Sequence, residues 1–188
     1  MYDIAIIGAG PAGASAAIFT AKAGKKTVVI DNDKGLTKRA WLENFYGISE
    51  ISGPDLIEIG KKQAVRLGAE LLEDTAVNLE KAGEGFAIET ENNGRIEAKH
   101  VILATGLSLG IAEKAGVETA EGTEPRIKTI LKSDRDGRTN VPGIWAAGTN
   151  AGVSVHAIIT AGDGAKVAIN VISELNGERY VDHDILQS

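Results

Sequence analysis

The chain has 188 residues, of which 43% are hydrophobic, and its 26 acidic and 20 basic residues give a net charge of −6. A chain of this length can bury roughly 70% of its unfolded surface, which predicts a single domain over residues 1–188. The sequence has neither a basic run interleaved with aromatic residues nor 18 consecutive apolar residues. We therefore expect no nucleic-acid partner, no membrane partner and a cytoplasmic location.

Cysteine is absent from the chain. Its absence excludes disulfides, a thiolate nucleophile and a C-x-x-C redox pair within these residues. The three histidines, His100, His156 and His183, lack metal-ligand spacing, so no metal site is predicted.

The first 31 residues form a continuous pattern of strand, glycine turn, helix and strand. Residues 2–7 are an apolar run, the helix is predicted over 11–23 with Gly24 as its C-cap, and residues 27–30 form a second apolar run that ends at Asp31. The turn between the first strand and the helix has G-x-G-x-x-G spacing over residues 8–13. This arrangement predicts a site for the ADP half of a dinucleotide.

Each glycine of the turn has a mechanical role in that prediction. Gly8 allows the sharp turn out of the strand, Gly10 lets backbone approach a pyrophosphate, and Gly13 allows close packing of helix on strand. Asp31 lies 18 residues past Gly13, near the position of the acid that binds ribose hydroxyls. A carboxylate there disfavours a 2′-phosphate, so we expect FAD or NAD rather than NADP.

The remaining segments complete an α/β fold of the Rossmann type, with a parallel sheet and a small antiparallel β-meander beside it. The predicted elements are a polar loop over 32–44, a helix over 55–67, a strand over 70–77, antiparallel segments at 78–79, 85–90 and 94–98, buried strands over 100–103 and 144–148, a strand over 127–131 and a long helix over 153–175.

Six motifs of the sequence together resemble those of the FAD-binding domain of the thioredoxin reductase family, among the pyridine nucleotide-disulfide oxidoreductases. They are GAGPAG at 8–13, ENFYG at 43–47 with SGPDL at 52–56, ATG at 104–106, VPGIWAAG at 141–148 and AGDG at 161–164. They occur in the family's order and span nearly the whole chain. The resemblance implies a three-layer fold with FAD in extended form along the first helix.

The resemblance also implies which residues lie beside the cofactor. The A-T-G segment passes close to FAD, Asp31 holds the adenosine ribose, Asn44 lies near the isoalloxazine, and Gly148 with the start of the last helix lies beside the flavin. The full set of candidate FAD-binding residues is Gly8, Ala9, Gly10, Pro11, Ala12, Gly13, Asp31, Asn32, Asn44, Ala76, Ala104, Thr105, Gly106, Gly148, Thr149, His156 and Ala157.

The chain departs from the family pattern in three places. Family members carry an NADPH-binding domain with a C-x-x-C motif between the A-T-G segment and the later glycine, but here 41 residues separate Gly106 from Gly148. A second dinucleotide unit needs far more chain. Thr149 replaces the family's aspartate, and the loop after the second strand is shortened at Lys34–Leu36.

Several side chains have alternative interpretations. His156 either donates a hydrogen bond to the flavin or is a surface histidine, and Asp163 is expected to be exposed or capping rather than an acid catalyst. Thr105 is expected to position backbone. The aromatic residues Trp41, Phe45 and Tyr46 either stack on the isoalloxazine ring or pack against their neighbours in the loop. The basic residues Lys34, Lys38 and Arg39 either bind a phosphate or an acidic partner, or they are simply solvated.

Two functions from different classes follow. The first is a minimal FAD-dependent oxidoreductase that exchanges electrons with a separate protein or small-molecule donor or acceptor, and that is not itself a disulfide reductase. The alternative is a non-catalytic FAD- or nucleotide-binding sensor, carrier or subunit. Because the absent domain would leave an apolar flavin face uncovered, we also expect a homo-oligomer, in the simplest case a homodimer.

Overall fold

A computed structural model describes residues 1–182 and 184–186 of the chain. The strands are β1 (Tyr2–Ile7), β2 (Thr27–Asp31), β3 (Trp41–Leu42), β4 (Ile51–Ser52), β5 (Glu70–Glu73), β6 (Ala76–Ala82), β7 (Gly85–Thr90), β8 (Gly94–Leu103), β9 (Thr119–Glu121), β10 (Thr129–Leu131) and β11 (Ile144–Ala146). The helices are α1 (Pro11–Lys22), α2 (Gly53–Arg66), α3 (Gly110–Lys114) and α4 (Ala157–Asn176), and residues Leu36–Arg39 and Gly148–Ala151 form 3₁₀ turns.

The centre of the fold is a parallel sheet in the order β5-β2-β1-β8-β11. Strand β8 is long enough to have two different neighbours along one edge. Its last three residues pair in parallel with β11, whereas Gly94–Ala98 pairs antiparallel with β7, which in turn pairs with β6. The parallel sheet and the meander therefore share β8.

Two apolar layers cover the two faces of the sheet, which makes the fold three-layered. Ile4, Ile6 and Val29 face helices α1 and α4, while Ala5 and Ile7 face the meander and α3. A strand that is buried on both faces has a continuous apolar sequence, which is why the strand at Ile4–Ile7 could be predicted from the sequence. The predicted α/β fold class is confirmed.

Small residues bring α1 close to its neighbours. Ala16 and Ala17 are fully buried against the sheet, and a Cβ added at Gly164 of α4 would lie 2.0 Å from the Ala12 carbonyl oxygen. On the other side, a Cβ at Gly60 of α2 would lie 3.1 Å from the Ala14 Cβ. These contacts fix the N-terminus of α1 above the end of β1.

The prediction of one strand over residues 70–77 was wrong, because the chain leaves the parallel sheet at Asp74. The buried Asp74 carboxylate accepts the backbone amides of Thr75 (2.7 Å), Asn92 (3.0 Å) and Asn93 (2.9 Å), and also both asparagine side-chain amides. Burial opposes ionisation of Asp74, but these donors outweigh it and lower its pKa. The carboxylate ties the β7–β8 turn to the end of β5, so β6 begins at Ala76.

Two further differences concern β8 and the start of α4, while the start of α2, the start of β10 and the end of β11 each differ by two residues from the predictions. The segments predicted at 94–98 and 100–103 are one continuous strand, β8. Helix α4 begins at Ala157 rather than near residue 153, because Gly148–Ala151 turns as a 3₁₀ segment and Gly152 takes a left-handed φ of 84°. His156 is consequently the N-cap of α4 and not part of its first turn.

We predict that stability depends on the protonation of His100. Its Nδ1 accepts a hydrogen bond of 3.2 Å from Nε1 of Trp145, which is 1% exposed, and burial lowers the pKa of His100 while Glu174 only partly opposes that shift. The stability contributed by neutral His100 is therefore fully present above about pH 6.5 and is lost as the pH falls through the lowered pKa.

Urea unfolding of wild type and His100→Gln at about pH 7.5 and about pH 5.5 tests this expectation. Glutamine keeps an acceptor but does not titrate, so the variant should lose less stability on acidification, by up to about 1 kcal/mol because the imidazole is only half-buried. The other histidines are present in both proteins, so an identical pH dependence in the two would contradict the prediction.

Candidate dinucleotide-binding site

The predicted glycine turn, acid and small-residue segments meet at one edge of the parallel sheet. In register, Ile7 of β1 aligns with Ile30 of β2 and with Leu103 of β8, and Ala146 of β11 also aligns with Leu103. The segments that follow these strands therefore all emerge at the carboxyl edge, where ligands of open α/β sheets bind.

The glycines at the end of β1 are required by close backbone approach. Gly8 has a φ of 100°, and a Cβ there would lie 2.4 Å from the Ala104 carbonyl oxygen. A Cβ at Gly13 would lie 1.8 Å from the Gly8 carbonyl oxygen. Gly10 is different, because its Cβ position has no heavy atom within 4 Å. The structure therefore keeps open space beside Gly10, as the phosphate-approach role requires.

The N-terminus of α1 supplies backbone donors at that open space. The first intrahelical bond runs from the Ala14 amide to the Gly10 carbonyl oxygen (2.9 Å), so the amides of Ala12 and Gly13 precede it. Pro11 occupies the first turn, and the Gly10 cap provides no side-chain acceptor. Such amides, together with the helix dipole, suit a phosphate.

Asp31 is held from two sides. Its Oδ1 accepts the Ala9 amide at 3.0 Å, and its Oδ2 lies 2.6 Å from Nζ of Lys61, with both charged side chains 10% exposed. Burial alone lowers the pKa of Lys61, but its bond with Asp31 more than compensates and raises it. Sequence reasoning missed Lys61, although Ile57 and Ala64 flank it on the buried stripe of α2.

Two other candidates lie near the Asp31 end. Asn32 is exposed, and its Oδ1 accepts the Lys34 amide at 3.3 Å. Ala76 is half-buried at the start of β6, two residues after Asp74, whose amide donates to the Asp31 carbonyl oxygen at 3.0 Å. The Asp74 turn therefore places Ala76 close to the end of β2 in the chain's hydrogen-bonded structure.

The A-T-G segment is positioned by Asn150, a residue that sequence reasoning missed. Ala104 donates its amide to the Ile7 carbonyl oxygen (2.9 Å), and Thr105 donates its hydroxyl to the Ser108 carbonyl oxygen (2.5 Å). Nδ2 of Asn150 donates to the Leu103 carbonyl oxygen (2.9 Å) and to Oγ1 of Thr105 (3.1 Å). These bonds agree with the positioning role expected of Thr105.

Asn150 is 1% exposed, and its Oδ1 has no partner within the described part of the chain. Gly106 follows Thr105 with a φ of 62°, and a Cβ there would have no heavy atom within 4 Å. The sheet edge therefore has open space beside the backbone at Gly106 as well as at Gly10.

Gly148 links the last strand to α1 and α4. Its φ is 82°, a Cβ there would lie 2.7 Å from the Ala12 Cβ, and its amide donates to Oδ2 of Asp163 at 2.7 Å. Of the two alternatives for Asp163, the exposed one is wrong, because the residue is 8% exposed and pairs with Nζ of Lys166 at 2.5 Å. The capping alternative agrees with its bond to the amide of Gly148, the first residue of the 3₁₀ turn. Asp163 therefore fixes the turn after β11.

The candidates predicted to lie beside the flavin are less enclosed. Thr149 is half-buried in the 3₁₀ turn and Ala157 is 7% exposed, whereas His156 is exposed with Nδ1 2.8 Å from Oγ of Ser154. Asn44 is exposed in the loop between β3 and β4. In the described part of the chain, no hydrogen bond links Asn44 to the sheet edge.

Local packing does not account for all the aromatic side chains of that loop. Trp41 is 61% exposed and Tyr46 is 92% exposed, so the packing interpretation is wrong for these two, whereas Phe45 is half-buried. The basic residues Lys34 and Arg39 are also exposed.

Neither a metal site nor a membrane-spanning helix is found in the described chain. Over residues 1–182 and 184–186, no three His, Cys, Asp or Glu side chains are grouped to hold a metal ion. None of the helices there combines the length and the apolar character that crossing a bilayer requires. His183 lies outside the described residues.

The residues at the sheet edge fit the ADP half of a dinucleotide, because they combine open space beside Gly10, free helix amides and a partly buried carboxylate. Fold and site together define a dinucleotide-binding protein of the Rossmann type. The model of the pyridine nucleotide-disulphide oxidoreductase family matches residues 2–122 and 48–168, and the chain belongs to that family. Members of the family bind FAD, which confirms FAD as the cofactor and the predicted family resemblance.

Known relatives support the same assignment. The chain is 37% identical to a thioredoxin reductase from Peptoclostridium acidaminophilum over 126 aligned residues, and this alignment covers 65% of this chain and 40% of the relative. It is 36% identical to a thioredoxin reductase from Aquifex aeolicus over 112 aligned residues, and this alignment covers 56% of this chain and 34% of the relative. The chain thus spans well under half the length of these relatives.

Solved structures share the fold. An atypical thioredoxin reductase from Desulfovibrio vulgaris Hildenborough aligns with a TM-score of 0.78 at 23% identity, over 95% of this chain and 99% of the solved chain. A thioredoxin reductase from Gloeobacter violaceus aligns with a TM-score of 0.79 at 19% identity, over 98% and 99%. At these identities the similarity concerns the fold.

Proposed function

We propose that the chain is a minimal FAD-binding oxidoreductase, a single domain that exchanges electrons with a separate donor or acceptor and does not itself reduce disulfides. The observation that carries this proposal is the short connection between the A-T-G segment and Gly148. Residues 107–147 contain α3, the β9–β10 ribbon and β11, with no cysteine and no second G-x-G-x-x-G. These residues offer neither an NADPH-binding unit nor a dithiol.

The proposed site uses the candidate residues in four groups. Gly8–Gly13 and the first turn of α1 bind the pyrophosphate, Asp31 with Asn32 and Ala76 holds the adenosine end, and Ala104–Gly106 lines the cofactor. Gly148, Thr149, His156 and Ala157 lie toward the flavin, as does Asn44. When bound, FAD supplies the electron or hydride transfer, and the protein supplies position and electrostatics.

The N-terminus of α4 contributes a charge effect to this proposal. A 20-residue helix presents a partial positive charge at its N-terminus, which favours negative charge on a bound group. His156 occupies the N-cap position of this helix and is exposed, so its imidazole can donate a hydrogen bond to a ligand at that end.

The proposal is tested by the visible absorption spectrum of the purified chain, followed by anaerobic mixing with NADH, NADPH or a reduced protein donor. A flavin spectrum that bleaches rapidly with one donor supports the oxidoreductase. A colourless chain that cannot be reconstituted with FAD contradicts it.

A non-catalytic FAD-binding sensor, carrier or subunit is the second candidate, favoured by Thr149. The family's aspartate would bind a hydroxyl of the cofactor with a charge-assisted bond, which a threonine hydroxyl cannot match. Bound flavin that bleaches only under light, and with no donor, would support this candidate.

A variant can restore the carboxylate that family members carry at position 149. Thr149→Asp is expected to tighten FAD binding by about tenfold, since a charge-assisted hydrogen bond is roughly twice as strong as a neutral one. Titration of the chain with FAD, followed by flavin fluorescence, measures the change, and Thr149→Asn serves as the uncharged control. Equal affinities for the aspartate and asparagine variants would contradict the argument from charge.

We also propose that the chain self-associates and is located in the cytoplasm. Val155 and Ile159 beside the α4 N-terminus are 56% and 46% exposed, and Leu107 after the A-T-G segment is 50% exposed. Such apolar side chains favour a homo-oligomer. Gel filtration at micromolar concentration would contradict it by showing a monodisperse monomer.

A further inference from the structure

Lys61 occupies an unusual position for a lysine. It lies on the buried stripe of α2, where the Gly60–Ala14 contact brings this helix close to α1. Its side chain is 10% exposed, whereas that of the next residue, Lys62, is 74% exposed. A lysine is rarely buried to this extent unless it is paired.

The pairing leaves hydrogen-bonding capacity on both partners. Nζ of Lys61 lies 2.6 Å from Oδ2 of Asp31 and 3.3 Å from Oδ1 of Asp33. An ammonium group has three donors, so two bonds leave one for an oxygen of a ligand. Each oxygen of the Asp31 carboxylate can accept two bonds, so the oxygens bound to Ala9 and Lys61 can each take one more.

We propose that Lys61 is a second ribose-binding residue, which acts with Asp31 as a donor–acceptor pair and makes the adenosine end of the site tolerant of a 2′-phosphate. This inference rests on the proposed FAD- and ADP-binding function of the edge. Asp31 accepts hydrogen bonds from the ribose hydroxyls, and Lys61 donates to a hydroxyl oxygen or to a 2′-phosphate.

The local charge balance is the reason for that tolerance. A lone carboxylate at the end of β2 repels a 2′-phosphate, which was the basis for expecting FAD or NAD rather than NADP. Here Asp31 and Asp33 are matched by Lys61 and Lys38, because Lys38 pairs with Asp33. The four groups sum to zero charge, so the repulsion is removed.

Calorimetric titration with a matched pair of probes tests this inference. ADP-ribose and 2′-phospho-ADP-ribose differ only in the phosphate and need no flavin chemistry. The full chain, freed of bound nucleotide, is compared with Lys61→Met and with Lys62→Met, which removes a charge one residue away on the exposed face of the same helix.

Wild type and Lys62→Met are expected to bind the two probes within about fivefold of each other, because the cluster is neutral. Lys61→Met should bind ADP-ribose about tenfold more weakly, and 2′-phospho-ADP-ribose at least about a hundredfold more weakly, through loss of one charge-assisted bond and of the compensating charge. Lys61→Met affinities equal to those of Lys62→Met overturn the inference.

The wild-type titrations decide the question even if Lys61→Met does not fold. Wild-type discrimination against the 2′-phosphate of more than about a hundredfold overturns the inference, because the site then behaves as a lone carboxylate. A wild type that binds neither probe, and also fails to bind FAD, overturns the proposed function itself. Binding of ADP-ribose and FAD without any effect of Lys61 leaves the proposed function standing and rejects the inference alone.

Discussion

A Gly10→Ala variant is expected to fold like the wild type and to bind FAD roughly a hundredfold more weakly, a loss of about 2.7 kcal/mol. Gly10 has φ −64° and ψ −175°, which alanine adopts without strain, and a Cβ there meets no protein atom within 4 Å. The fold therefore does not require glycine at this position. If FAD lies along the turn, the methyl group occupies space that the pyrophosphate needs.

Gly13→Ala is the contrasting control within the same motif. Its Cβ would lie 1.8 Å from the Gly8 carbonyl oxygen, so α1 must move away from β1 and the variant should lose stability as well as binding. Fluorescence titration with FAD and urea unfolding, performed on both variants, separate the two effects. Gly10→Ala with wild-type affinity for FAD would show that no phosphate approaches the turn, and would contradict the placement of the cofactor.

The sequence predicted the opening unit well because the signals that specify its backbone are local. Strand β1 has the predicted ends, α1 begins at the predicted Pro11 and ends one residue early, and Asp31 closes β2. The apolar runs, the glycine spacing and the proline each constrain one feature of the backbone there. The carboxyl-edge candidates Gly8, Ala104 and Gly148 meet as expected, because parallel strands bring their ends together.

The residues missed by sequence reasoning all act across long separations. Asp74 organises a turn 18 residues away, Asn150 binds Thr105 across 45 residues, and Lys61 of α2 meets Asp31 of β2. Nothing in the spacing of these residues indicates their partners. Asp74 and Lys61 are charged residues in largely buried surroundings, which periodicity can detect only as exceptions to an apolar stripe.

The close contact between α1 and α4 predicts a large effect of substitution on stability. Gly164→Ala is expected to lower the free energy of unfolding by about 3 kcal/mol, because its Cβ would lie 2.0 Å from the Ala12 carbonyl oxygen and 2.8 Å from the Ala12 Cα. These are backbone atoms in the first turn of α1, so they cannot move aside as a flexible side chain would. Displacing α4 also displaces Asp163, which holds the Gly148 amide.

Gly162→Ala is the matched control, two residues away on the same helix. Gly162 is exposed, and a Cβ there has no heavy atom within 4 Å, so alanine should raise stability by about 0.5–1 kcal/mol through its higher helix propensity. Urea unfolding of the two variants should therefore show shifts of opposite sign. Equal shifts would mean that α4 does not press against Ala12. The edge that carries Gly148 and Thr149 would then lack the rigid support on which the placement of the flavin depends.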